Sequence, residues 1–348
     1  MESTHSKAQE SIQGTNLPSF GRTEYIYRPY LELIGSASHF GFQFYGDSCL
    51  LYTSSLHWKT PGYVQISLDQ GAPIRINAFA KNGEPIKILA KTKGVHQVWV
   101  YKTTEAQTGP VFIEKITGHG LKALHEPKRP IIEFIGNSIT CGAASDESEM
   151  KCNQGQYSDH HNAYFAYGPR LARALHMNYF LSSVSGYGIY RDWNSDGPTL
   201  PQVYGKTDLL DSSTRYWDFK KYSPEIVSIA LGTNDLSEGD HLKKRAPFDS
   251  SLFIHGYIQF IRLVRSHYPK AKIILLSSPM VNDKAKTILE NCLIQIQNTM
   301  RKEFPRNNPL NLYFFKSMKP RGCSSHPSVL DHGILEKELL PVFRKLLK

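Results

Sequence analysis

At Pro130 the hydrophobic pattern of this chain changes its period, and that change constrains the fold more than any other feature. Before it, from about Tyr25 to Thr117, apolar and polar residues alternate in short runs: His39–Tyr45, Cys49–Thr53, Gly62–Leu68, Ile74–Phe79, Ile86–Ala90, His96–Tyr101 and Val111–Ile116. Gly46-Asp47, Asp69-Gln70-Gly71, Asn82-Gly83 and Lys93-Gly94 supply turn formers between them. Many short alternating runs with regular turn signals predict a β-sandwich, of jelly-roll type. After Pro130 come near-continuous apolar runs at Pro130–Ile135, Tyr179–Ser183, Ile226–Ala230, Ile273–Ser278 and Leu312–Phe315. Between and after them, Asn162–Leu175, Leu252–His267, Lys284–Phe304 and Gly333–Leu347 have helical spacing. Strands apolar on both faces, alternating with amphipathic helices, predict an α/β unit with a covered parallel sheet.

The expected organisation is therefore a linker or disordered stretch over 1–24, a β-sandwich over 25–120, a linker over 121–130 and an α/β domain over 131–348. A chain of 348 residues is comfortable for two domains. With 40% hydrophobic and 21% charged residues it belongs with globular chains rather than disordered ones. No run approaches the roughly 18 apolar residues of a membrane span, so no membrane partner is expected.

The polar start has no apolar leader core. Either the protein is cytoplasmic, or the sequence begins after a removed leader with an added Met1. The polar stretch Glu2–Asn16 favours the second, a secreted or periplasmic origin. The five cysteines form no CxxC pair and are irregularly spaced, so they are read as mostly free, buried thiols. The formal net charge of +10 is spread along the chain, with short clusters such as Lys220-Lys221 and Lys243-Lys244-Arg245. No nucleic-acid-binding signature accompanies them. Such a charge would attract a polyanion, including an acidic polysaccharide, although a solvated surface is the default reading.

In open α/β sheets ligands sit at the carboxyl ends of the strands. Ser138, in Gly136-Asn137-Ser138-Ile139-Thr140, directly follows the first apolar strand, although a helix-capping serine has the same look. Ser182–Gly188, with Gly186, follows the second strand, and Ala230–Asp235, with Asn234, follows the third. Backbone N–H groups and an asparagine amide are one way to build an oxyanion hole. His326-Pro327 comes before the last helix, where an imidazole can take a proton from Ser138 and return one to a leaving alcohol.

Together the blocks GNSIT, SGYG, ALGTND and SHP resemble the four conserved blocks of the SGNH/GDSL hydrolases. That resemblance implies a flavodoxin-like three-layer α/β/α sandwich and a serine esterase needing neither metal nor cofactor. It makes Ser138 the nucleophile and His326 the base, with Ser138, Gly186 and Asn234 as the oxyanion hole. The β-domain with Gly94–Val98 and Lys102–Ala106, the run IEFIGNSIT, and Gly186–Arg191 look like carbohydrate esterase family 2, over nearly the whole chain from about residue 27. The substrate implied is an acetylated plant polysaccharide, xylan or glucomannan. Tyr190 is the expected sugar-contacting aromatic, and a monomer is expected.

Two positions depart from the pattern. The usual Gly-Asp-Ser is Gly-Asn-Ser here, and Asn137 is expected to act structurally, through hydrogen bonds that an amide partly replicates. Ser324 and Cys323 occupy the places where an aspartate would orient His326, which predicts a Ser-His dyad. A backbone carbonyl of 323–325 then fixes the imidazole, with Asp331 as the alternative third member. Gly46-Asp47-Ser48 spells the motif literally but is read as a hairpin turn. Asp159-His160-His161 is not expected to hold a metal. The competing functions are a non-catalytic carbohydrate-binding protein and a lipase or thioesterase on the same scaffold.

Overall fold

The computed structural model describes residues 10–25, 30–54, 62–79, 84–195, 197–306 and 308–348. The N-terminal part carries β1 (Glu10–Gln13), β2 (Ser19–Phe20), β3 (Thr23–Glu24), β4 (Leu31–Leu33), β5 (His39–Ser54), β6 (Tyr63–Leu68), β7 (Ile74–Asn77), β8 (Ile86–Lys102) and β9 (Val111–Leu124). They form one antiparallel sheet in the order β3-β4-β9-β5-β8-β6-β7, with β1 added to β9 and β2 to β5. The period-two pattern becomes a core face: Phe40, Phe42 and Phe44 on β5 and Val98 and Val100 on β8 are fully buried. Burying each such side chain stabilises by roughly 1.5–3 kcal/mol.

A jelly-roll sandwich was expected, and the sheet is instead a curled antiparallel half-barrel. The reason lies in its long strands. β5 and β8 run 16 and 17 residues, because the expected turns do not interrupt them. Gly46-Asp47-Ser48 is a bulge within β5, where Gly46 has φ +131° and the register slips, not a hairpin turn. Lys93-Gly94 lies inside β8. A bulge lets a long strand bend where a turn would have ended it. Asn82-Gly83 lies outside the described residues.

The expected linker over 1–24 also needs correction from Glu10 onward; residues 1–9 lie outside the described residues. Glu10–Gln13 pairs with β9. Arg22, 1% exposed, reaches into the second unit, donating to Ser182 Oγ at 3.0 and 3.1 Å, to Tyr204 O at 3.0 Å and to Lys206 O at 2.7 Å. A polar sequence hid this segment because strand pairing and a buried guanidinium satisfy polar groups without an apolar run. β9 continues to Leu124, into the stretch expected to be linker.

The second unit contains β10 (Ile131–Gly136), β11 (Asn178–Ser183), β12 (Ile226–Ala230), β13 (Lys272–Leu276) and β14 (Asn311–Tyr313). All are parallel, in the order β11-β10-β12-β13-β14. Its helices are α1 (Ser138–Cys141), α2 (Tyr167–Ala174), α3 (Leu200–Val203), α4 (Thr233–Leu236), α5 (Ser250–His267), α6 (Asp283–Met300) and α7 (Val329–Leu346). The continuous apolar strands follow from burial on both faces. Ile273 and Leu275 of β13 pack with the α5/α6 core, and Ile274 and Leu276 with the α2/α7 core. Chain order reverses at β10, between β11 and β12, so their carboxyl ends open a crevice there.

The reading of the cysteines is corrected in one respect. Cys152 and Cys323, 171 residues apart in sequence, form a disulfide, while Cys49, Cys141 and Cys292 are free and buried. Irregular spacing carried no sign of a bridge between two distant loops.

Candidate active site

β10 ends on Gly136 and the chain turns at once into α1. Gly136 is required by close approach, since a Cβ there would collide with Thr140 and come within 3.2 Å of the Ala230 carbonyl. Asn137 caps α1 through Oδ1, which accepts the Ile139 N–H at 3.1 Å, while its buried Nδ2 has no partner. The acceptor half of the missing aspartate is thus reproduced. Ser138 is the first residue of α1, where helix geometry leaves the backbone N–H without an intrahelical acceptor.

His326 meets that serine from the other side of the crevice. Its Nε2 lies 2.9 Å from Ser138 Oγ and 3.2 Å from the Tyr157 hydroxyl. Its Nδ1 lies 2.7 Å from the Ser324 carbonyl oxygen. With Nδ1–H donated to that carbonyl, Nε2 is left to accept the serine proton. Asp331 does not reach the imidazole. Its carboxylate accepts from Arg321 Nε at 2.7 Å and from Ser328 N and Oγ, both at 2.9 Å, and caps α7. Burial lowers the imidazole pKa, the Ser324 carbonyl opposes that shift, His161 adds to it and Glu105 opposes it.

The support for His326 is a strained turn. Ser324 and Ser325 sit at φ +49° and +56°, a region that costs a non-glycine residue about 1–2 kcal/mol. The turn is held by the Cys152–Cys323 bridge, by Cys323 N–H donating to Ala144 O at 2.8 Å, and by Gly322 N–H donating to His326 O at 2.8 Å.

Gly186 and Asn234 approach the same place from the ends of β11 and β12. Gly186 has φ +83°, and a Cβ on it would lie 2.9 Å from Trp193 Cδ1. Asn234 donates one amide hydrogen of Nδ2 to Tyr187 O at 2.9 Å, which leaves the other for a ligand. The adjacent Asp235 is buried and accepts the N–H groups of Ile189 and Tyr190, each at 2.9 Å. Burial pushes its carboxyl up to about 6, against those bonds.

These residues share a cavity of about 610 Å³ lined by Ser138, Gly186, Asn234 and His326 with Tyr157, Trp193, Gln107 and Met280. Tyr190 is not among the lining residues. Its ring packs on the α5 core and Phe248, and its hydroxyl accepts the Asp249 N–H at 2.9 Å. The aromatic side chains that do border the cavity are Trp193, 42% exposed, and Tyr157.

Sequence reasoning gave no role to Tyr157, Glu105 or His161. Glu105, from the loop after β8, is buried and accepts the Ser185 N–H at 2.7 Å through Oε2. Its Oε1 lies 3.1 Å from His161 Nε2, and the Tyr157 ring stands edge-on to both His161 and His326. The signal was present in Lys102-Thr103-Thr104-Glu105, a charged pair in a run otherwise destined for burial. His160 turns to the Lys151 carbonyl, and Asp159 accepts from Tyr63, so the three adjacent residues face different partners.

Comparison with known proteins places this arrangement. The GDSL-like Lipase/Acylhydrolase family matches residues 134–307, and the Carbohydrate esterase 2 N-terminal family matches residues 19–127. The chain belongs to carbohydrate esterase family 2. This family 2 esterase is 28% identical over 284 residues to an acetylxylan esterase/glucomannan deacetylase of Cellvibrio japonicus, covering 79% of this chain and 76% of that one. It is 30% identical over 275 residues to the cellulase/esterase CelE of Acetivibrio thermocellus, covering 77% of this chain but only 32% of that longer protein. A family two carbohydrate esterase from Clostridium thermocellum, solved with cellohexaose, superposes with a TM-score of 0.81 at 25% identity, covering 97% of this chain and 99% of that one. As a member of the family, the esterase is a carboxylic ester hydrolase.

Proposed function

We propose that this esterase removes O-acetyl groups from a plant cell-wall polysaccharide, acetylated xylan or glucomannan, through an acyl-enzyme formed on Ser138. The observation that carries the reading is the chain of contacts from Ser138 Oγ to His326 Nε2 at 2.9 Å and from His326 Nδ1 to Ser324 O at 2.7 Å. Ser138 Oγ attacks the acetyl carbonyl while His326 Nε2 takes its proton. The oxyanion is met by the Ser138 and Gly186 N–H groups and the second amide hydrogen of Asn234. As the intermediate collapses, His326 gives that proton to the departing sugar oxygen, which leaves as a hydroxyl. A water, activated by the same imidazole, releases acetate and frees the serine.

A dyad suffices in this reading because a carbonyl replaces the usual carboxylate in orienting the base. The relatives named for acetylxylan and glucomannan deacetylation support the substrate class. Export is part of the proposal, since a structural disulfide suits an oxidising compartment. Among the described residues no helix is long and apolar enough to cross a membrane.

Acetate release from acetylated xylan and glucomannan, with an aryl acetate as control, tests the reading. Ser138→Ala is expected to lose release on all three while its circular dichroism and melting point match wild type. Release that survives this change sinks the assignment.

A further inference from the structure

A second cavity of about 860 Å³ lies beside the first, and Ser237 lines both. Its walls carry Arg191, Lys243, Lys244, Arg245 and Lys284, with His241 and a single carboxylate, Glu238. Arg191 donates to the carbonyls of Asp235 and Ala246, each at 2.7 Å, and Arg245 to those of Asn234, at 3.1 Å, and Asp192. These carbonyls hold the guanidinium groups without neutralising them. Among the described residues none of the five cations forms an ion pair with a carboxylate. Burial and the neighbouring Arg191 charge lower the Arg245 pKa, while Asp192 and Asp235 oppose that shift. The three lysines are exposed and the two arginines half-buried, so the groove presents an excess of positive charge to solvent, which attracts an anion.

We propose that this groove is a subsite for sugar carboxylates, and that the preferred substrate is an acetylated polysaccharide bearing uronate residues near the ester. The inference rests on the esterase reading above, because continuity with the Ser138 cavity is what favours a substrate chain over any other polyanion. Arg245 also bonds the backbone of Asn234, so the groove begins where the oxyanion amide ends. A chain with its acetylated sugar over Ser138 passes Ser237 and enters the basic groove.

The test compares acetate release from an acetylated glucuronoxylan with release from the same polymer after its uronate carboxyls are reduced to alcohols. Wild type is expected to favour the acidic polymer roughly ten-fold in kcat/KM at low salt, as several partly exposed charge pairs allow, and to lose the preference at high salt. A Lys243→Gln/Lys244→Gln/Lys284→Gln variant is expected to lose the preference while hydrolysing an aryl acetate at the wild-type rate. Equal rates on the two polymers overturn the proposal. Fluorescence titration of the Ser138→Ala protein with an oligogalacturonate, a sulfated oligosaccharide and an oligonucleotide reads the groove without turnover. Tighter binding of the oligogalacturonate supports the subsite. Equal or tighter binding of the sulfated oligosaccharide or the oligonucleotide marks a general polyanion surface and overturns it, as does no binding of the oligogalacturonate. Failure of wild type on every ester, with oligogalacturonate still bound, would remove the esterase reading and leave the subsite standing.

Discussion

The Glu105 carboxylate, carried by the loop after β8 of the N-terminal unit, accepts the backbone N–H of Ser185, the residue immediately before Gly186, at 2.7 Å. The loop that aims Gly186 is therefore held from the neighbouring unit, and by a charge-assisted bond in a buried setting.

Glu105→Gln keeps the shape and removes the charge. In the proposed mechanism its effect falls on the transition state, because a loosened Ser185–Gly186 segment misplaces an oxyanion donor rather than the substrate. We expect kcat on an aryl acetate to fall roughly ten-fold or more with KM little changed, part of the cost of losing a whole oxyanion donor. Steady-state kinetics on the purified variant decide it. An unchanged kcat would show that the loop holds its place unaided.

Burial lowers the His326 pKa, and only the neutral imidazole can take the serine proton. Activity should therefore rise as pH climbs through the folded value, and the acid limb of kcat/KM should lie below the ordinary imidazole value of about 6.5. Glu105 opposes the shift, so Glu105→Gln should move that limb further toward acid. Tyr157 stands edge-on to the same imidazole, and His161, whose Nε2 lies 3.1 Å from Glu105, lowers the His326 pKa as well, so the variant alters His161's partner too. A limb above the ordinary value would mean that an undetected anion orients the base.

Cys323 opens the strained turn that places His326, and its bridge to Cys152 closes a long loop. The double variant Cys152→Ser/Cys323→Ser should lose about 2–5 kcal/mol of stability in denaturant unfolding. Its kcat should fall as well, because Ser324 and Ser325 are free to leave the left-handed region. Dithiothreitol added to wild type should reproduce both effects, and if it lowers stability alone the turn does not depend on the bridge.

Asn137 accepts one hydrogen bond and leaves its own amide unpartnered. Asn137→Ala should cost about 1 kcal/mol through loss of the α1 cap, and should lower kcat by letting Ser138 turn. Asn137→Asp, which keeps an acceptor in the same place, should retain the cap. Chemical unfolding and aryl acetate kinetics on both variants check this, and equal behaviour of the two would remove the cap from the account.

Much of the α/β unit was legible because its signals are local. The strands at Ile131–Gly136 and Ile226–Ala230 are apolar on both faces, and Ser138, Gly186, Asn234 and His326 each stand at a strand end or loop with a readable motif. The structure brings these four together, and the carbonyl support of His326 falls within the expected segment, at Ser324. What escaped was non-local. The Cys152–Cys323 bridge, the Arg22 anchor and the Glu105–Ser185 bond join residues far apart in the chain, and no period or spacing reports such a meeting. Tyr190, expected against a sugar, lies off the cavity lining for a related reason. An aromatic residue shortly after Gly186 can turn to either side of its loop, and here the Asp249 N–H and the α5 core decide it.

Because Glu105 and Arg22 cross from one unit to the other, the hydrolase half is not a portable module. In a gene fusion, a breakpoint between Leu124 and Ile131 would part Glu105 from Ser185 and Arg22 from Ser182, and so loosen the loop that carries Gly186.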